Sequence, residues 1–151
     1  DVVSGKTVII STSNGTKAAL WAKGAREVLI GSFLNMAAIC DSLISHRDDD
    51  NAIPDITIVC AGREGNFSLE DFTAAGMVIS LAGSGCVLSD TAKVALLTYE
   101  KARQSGLSTF VSQAEHARYL KEIGMESDIA LCTEIDKFPL LPRMVDGVIR
   151  V

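Results

Sequence analysis

The sequence predicts an α/β domain built as three layers, α/β/α, with a mainly parallel sheet in the middle. Three observations carry this expectation. Three short β-branched runs, TVIIST at 7–12, EVLIG at 27–31 and DITIVCA at 55–61, are each followed by a longer stretch of helical composition. Within the runs the apolar residues are continuous rather than alternating, the pattern of strands covered on both faces and joined by right-handed crossovers. The 151 residues, 48% of them hydrophobic, suffice for one core without disulfides or a structural metal, so residues 1–151 read as a single domain.

Taken in order, helix starts are signalled by Thr16 before KAALWAKGA, Asn35 before MAAICDSLISH, Ser68 before LEDFTAAGMVISLAG, and Ser89 or Asp90 before TAKVALLTYEKARQSG. Gly106 reads as the stop of the last of these. A further helix is expected from the SQAE pattern at Ser112–Glu115, a capping box, with its end at Gly124. The tail holds a mixed segment around 129–133, two proline breaks and a last apolar run that suits an edge strand. The polar stretch SHRDDDNAIPD, 45–55, is read as a solvated connection rather than an acidic metal site, because it precedes a strand instead of following one. Trp21 and the five phenylalanines are expected in the core.

Fourteen basic residues against nineteen acidic ones give a formal charge of -5, and no Lys/Arg cluster runs along any segment. A nucleic-acid surface and a polybasic membrane patch are therefore not expected. The apolar runs are strand-length, well short of a membrane span, and the first residues lack the basic and apolar regions of a signal peptide. Cys40, Cys60, Cys86 and Cys132 form no C-x-x-C pair and read as reduced core residues of a cytoplasmic protein. An unpaired sheet edge would favour burial against a further copy of the chain, a homo-oligomer.

Ligands of open parallel sheets bind beyond the carboxyl ends of the strands, where loops lead into helix N-termini. The first such loop, STSNGTKA, is rich in hydroxyls and small residues, so Thr12, Asn14, Gly15 and Thr16 could cradle an anion; the plainer reading is a tight turn and a helix cap. The second ends at Asn35. The third, AGREGNFSLED, is the densest: Gly62 and Gly65 free the backbone around Arg63, whose guanidinium suits bidentate capture of phosphate or sulfonate. Glu70 and Asp71 follow in the first helical turn, where carboxylates either cap and favour the helix dipole or hold a Mg²⁺ ion. Asp90 and His116 are acid/base candidates, while His46 is assigned to a helix end.

Other chemistries lack their signatures. The first loop does not have Walker A spacing, and the G-S-G at 83–85 follows a helix, the wrong place for a dinucleotide fingerprint. Neither histidine has a serine or cysteine partner in a nucleophile motif. From the residues alone the reading stops at an α/β domain that binds a small anion, with or without turnover.

Taken together, TSNGTKA, VLIGSFLNMAAI, IVCAGREGNFSLEDFTAAG, LSDTA and EIGMESDIALC resemble the 2-phosphosulfolactate phosphatase family, Mg²⁺-dependent acid phosphatases associated with coenzyme M biosynthesis. The resemblance implies hydrolysis of 2-phospho-3-sulfolactate, or a related small phosphorylated acid, to sulfolactate and phosphate. It implies Mg²⁺ held through Glu70 and Asp71, the anion cradled by Thr12, Asn14, Gly15 and Thr16, and Arg63 on the second anionic group. Family members carry an additional N-terminal region with its own acidic and arginine-bearing motifs, so the chain is expected to correspond to a C-terminal portion.

Overall fold

The computed structural model describes residues 2–46, 54–83 and 85–151. Most of the expected connection at 45–55 lies outside the described residues. Among them the chain is mixed α and β: seven α-helices, one short 3-10 turn at Phe33–Asn35 and a two-stranded antiparallel sheet.

Three helices begin at their predicted caps, Asn35, Ser68 and Ser89, whereas the expected cap Thr16 lies inside the first helix. Helix α1 covers Gly15–Trp21 with Asn14 at its N-cap, and α2 covers Met36–Ser45, with His46 as its C-cap. Helix α3, Leu69–Ala82, starts because the Ser68 hydroxyl accepts from the Asp71 N–H, and α4, Asp90–Ser105, because Ser89 does the same for Ala92. Gly106, at φ 87°, ends α4 and leads into α5, Leu107–Val111. Helices α6, Glu115–Glu122, and α7, Glu126–Cys132, follow, separated by Gly124 at φ 76°.

The core is helical. Phe33, Met36, Ile39 and Cys40 pack on Met77 and Val78 of α3, Tyr99 of α4 and Val111 of α5. Helices α3 and α4 cross at Gly76, where an added Cβ would strike the Ala95 carbonyl and lie 2.8 Å from the Tyr99 Cβ. A smaller cluster of Ala114, Ala117 and Ile129 seats α6 and α7 against Leu69.

The three-layer parallel sheet is not formed among the described residues. Segments 7–12 and 55–61 form no strand, and residues 7–11 and 55–61 make no backbone–backbone hydrogen bond among the described residues. In the first the apolar side chains face solvent, Ile9 at 93% exposed and Ile10 at 75%, whereas in the second Val59 is half-buried. Segment 27–31 takes its bonds from the C-terminal tail instead. Ile30 N–H donates to the Pro142 carbonyl and Met144 N–H to that of Val28, each at 2.9 Å, around an antiparallel Leu29–Arg143 bridge. The tail continues as the hairpin β1, Arg143–Val145, and β2, Val148–Arg150. Its turn is Asp146–Gly147, both at positive φ, the type I′ signature.

Three smaller expectations are corrected. Ser112 does not open a helix: it is the C-cap of α5, its hydroxyl donates to the Thr109 carbonyl at 2.8 Å, and α6 starts after Ala114 instead. The mixed segment at 129–133 is largely helix α7. Trp21, Phe67 and Phe138 are not core residues, being 74%, 69% and 47% exposed: α1 buries none of its residues and Phe67 packs edge-on against Phe72 outside the main cluster. Cys60 and Cys132 are likewise exposed, and of the four cysteines only Cys40 is fully buried.

Candidate functional site

A cleft of about 1040 Å³ lies between the β-branched runs and the helices. Six of the sequence-predicted site residues line it: Asn14, Gly15, Arg63, Glu70, Asp71 and His116. The third loop shapes its mouth. Arg63 and Asn66 exchange backbone hydrogen bonds of 3.1 and 2.8 Å around Glu64 and Gly65, at φ 52° and 81°. Two residues at positive φ make a tight primed turn, which explains why a glycine follows Glu64. Gly62 is held more tightly still, since a Cβ there would come within 2.6 Å of the Asn66 carbonyl.

Two hydrogen bonds fix this turn in place. The Gly62 N–H donates to Asp71 Oδ2 at 2.7 Å, tying the loop to the first turn of α3. The Glu64 N–H donates to Asn14 Oδ1 at 3.0 Å, tying it to the first loop. Asp71 therefore supports the loop with its carboxylate while its own N–H meets the Ser68 hydroxyl. In the first loop, Thr12 and Thr16 cap one another: each hydroxyl oxygen accepts from the other's N–H, at 3.0 and 3.2 Å.

Helix α6 supplies the far wall. His116 and Tyr119 are three residues apart and so share a face, with their rings stacked at 6.1 Å between centroids. The Arg63 guanidinium lies over the Tyr119 ring, 5.2 Å from its centroid. His116 Nδ1 is buried and has no hydrogen-bond partner among the described residues. Cys60 also lines the cleft. Although the residue is solvent-exposed, partial burial of the thiol and then the Asp71 carboxylate push its pKa above the ordinary thiol value, so it stays protonated near neutrality and is a poor nucleophile.

Four predicted residues are not among those lining the cleft. Thr12 and Thr16 stand behind Asn14–Gly15 in their mutual cap. Asn35 is buried with its amide fully engaged: it accepts from the Ser32 N–H at 2.8 Å and donates to the carbonyls of Ile30 and Leu140. Asp90 is solvent-facing on α4 and paired with Lys93 at 2.9 Å. Tyr119 is the residue that the motifs do not single out; its signal is the three-residue spacing from His116.

Among the described residues no three His, Cys, Asp or Glu side chains converge into a metal-holding group. Glu70 and Asp71 remain as two adjacent carboxylates on the cleft wall, and one Asp71 oxygen already accepts from Gly62. That donor set fits an ion such as Mg²⁺, which uses one or two carboxylates and keeps its waters, better than one needing a protein cage.

The cleft, lined by helices, small-residue loops and Arg63, belongs to a mixed α/β chain. The family profile described as 2-phosphosulpholactate phosphatase matches residues 1–147, and the chain belongs to that family. Curated relatives carrying the name "Probable 2-phosphosulfolactate phosphatase" agree. The protein of Caldanaerobacter subterraneus subsp. tengcongensis is 34% identical over 150 residues, 98% of this chain and 59% of the relative. That of Clostridium tetani is 33% identical over 152 residues, 99% of this chain and 61% of its own. That of Thermotoga petrophila is 35% identical over 146 residues, 97% and 60% respectively. The chain thus spans about three fifths of the length of these relatives.

Proposed function

We propose that the chain carries the phosphate-ester site of a phosphatase that hydrolyses 2-phospho-3-sulfolactate, or a related small phosphorylated acid. The observation that carries this reading is the cleft itself. In a member of this family, Asn14–Gly15, Arg63 and the Glu70–Asp71 pair line one wall system and are tied together by the Asn14–Glu64 and Asp71–Gly62 hydrogen bonds.

In the reaction a water oxygen bonds to phosphorus as the P–O ester bond breaks, and the leaving oxygen takes up a proton, giving sulfolactate and inorganic phosphate. Arg63 neutralises one anionic group of the substrate through paired N–H donors. The amides around Asn14 and Gly15 would take the other, and His116 holds or delivers the proton, which accounts for a buried Nδ1 with no partner among the described residues. Glu70 and Asp71 would hold Mg²⁺, which supplies charge neutralisation of the phosphoryl oxygens. A net charge of -5 makes such counter-charge necessary for an anionic substrate.

Segments 7–12, 27–31 and 55–61 are the strands of a three-layer parallel sheet in the family fold, on this reading. A cytoplasmic setting suits four free cysteines, and no helix among the described residues is long and apolar enough to cross a membrane. The test is Mg²⁺-dependent release of phosphate from 2-phosphosulfolactate and from phospholactate. Release abolished by Glu70→Gln and by Asp71→Asn supports the reading. No release from either substrate, together with tight binding of phosphate, would establish the second reading, an anion-binding module without turnover, which the partial span of the relatives favours.

A further inference from the structure

We infer that Tyr119 is a positioning residue that holds the Arg63 guanidinium over the cleft for an anionic group, a step that rests on the anion-site reading above. Arg63 sits on a two-residue turn whose backbone is fixed by the Gly62–Asp71 and Glu64–Asn14 hydrogen bonds. Its side chain has no such anchor: among the described residues it makes no ion pair and no side-chain hydrogen bond. The contact that orients it is the face of the Tyr119 ring, 5.2 Å from the guanidinium carbon. A ring face attracts a guanidinium through its quadrupole without taking up its charge with a counter-ion, so N–H donors remain to meet phosphate or sulfonate oxygens.

The arrangement also explains why an aromatic residue stays on the surface. Tyr119 is 44% exposed and belongs to neither core cluster, so packing does not account for it. Its other aromatic neighbour is the His116 ring, stacked at 18° between planes. One tyrosine thus sets the relative position of the two groups that the proposed reaction needs on this wall. A long, flexible arginine held in advance loses less side-chain freedom when the anion arrives, and that saving appears as affinity.

The experiment measures the dissociation constant of inorganic phosphate by titration calorimetry, with Mg²⁺ present, on the full chain and four variants. Tyr119→Leu should weaken binding about two- to fivefold, the size of a single partly exposed cation–π contact, while Tyr119→Phe leaves it unchanged. Arg63→Gln should weaken it by roughly tenfold, the loss of a charge-assisted pair. In the double variant Tyr119→Leu with Arg63→Gln, removal of the ring should add nothing, because it acts through the guanidinium. An equal loss from Tyr119→Leu in both backgrounds would make the ring merely structural and overturn the inference. Arg63→Gln weakening binding while Tyr119→Leu does not would overturn it too and leave the anion site standing. Unchanged binding in Arg63→Gln, or none by the unaltered chain, would remove the anion site and the inference with it.

Discussion

The helices of this chain and its β-branched runs both carry apolar side chains but meet different fates. Helices α2 to α5 bury Met36, Met77 and Tyr99 in one cluster, whereas the TVIIST segment leaves Ile9 almost wholly in water. A helix satisfies its own backbone and needs a neighbour only for one face. A strand needs neighbours for its backbone as well, and 55–61 finds none among the described residues. Burial in this fold is therefore decided by who supplies the hydrogen bonds, and only then by hydropathy.

The contrast can be broken most severely at the α3–α4 crossing. Gly76→Val should cost about 3 kcal/mol by overpacking against the Ala95 carbonyl, lowering the melting temperature by roughly 6–12 °C in thermal denaturation. Next comes alkaline pH. Burial, and then the Asp136 and Asp41 carboxylates, raise the Cys40 thiol from 9.0 to about 11. The unfolded chain loses this proton first, so stability is intact below pH 9 and falls as pH rises toward 11, by an amount on the order of 2 kcal/mol in denaturant titrations. Ser68→Ala should remove the α3 cap for about 1 kcal/mol and loosen the Asp71 N–H it accepts from. At the other extreme, Ile9→Lys should shift stability by less than about 0.5 kcal/mol, since the side chain is 93% exposed. A large loss there would show that segment 7–12 is paired after all.

Local chemistry made the helices legible. Ser68, Ser89 and Gly106 act within four residues of themselves, so their roles can be read without the rest of the chain. Ser112 misleads for the same reason: its side chain suits either the start of α6 or the end of α5, and only the packing of Val111 into the core decides for the latter. The sheet was not legible because pairing is a property of distant segments. Segment 27–31 is strand-like as expected, but its partner is the tail at 142–144, which no periodicity announces. In the site, the first and third loops meet through the hydrogen bond from the Glu64 N–H to Asn14. Asn35 does not join them, because a buried amide next to the carbonyls of Ile30 and Leu140 is used up by the fold. Tyr119 escaped notice because its partner, Arg63, lies far away in the chain.

The hydrogen bond from Glu64 to the Asn14 side chain joins residues 50 apart in sequence. Closing so long a loop costs chain entropy before it returns a single bond, whereas the α3–α4 pair is joined by a short connection and can zip early. The expected order of assembly is then a helical nucleus first, with the cleft as the last part of the molecule to close. Damage to Asn14 should then show in how fast the folded chain opens, leaving the speed at which it folds nearly untouched.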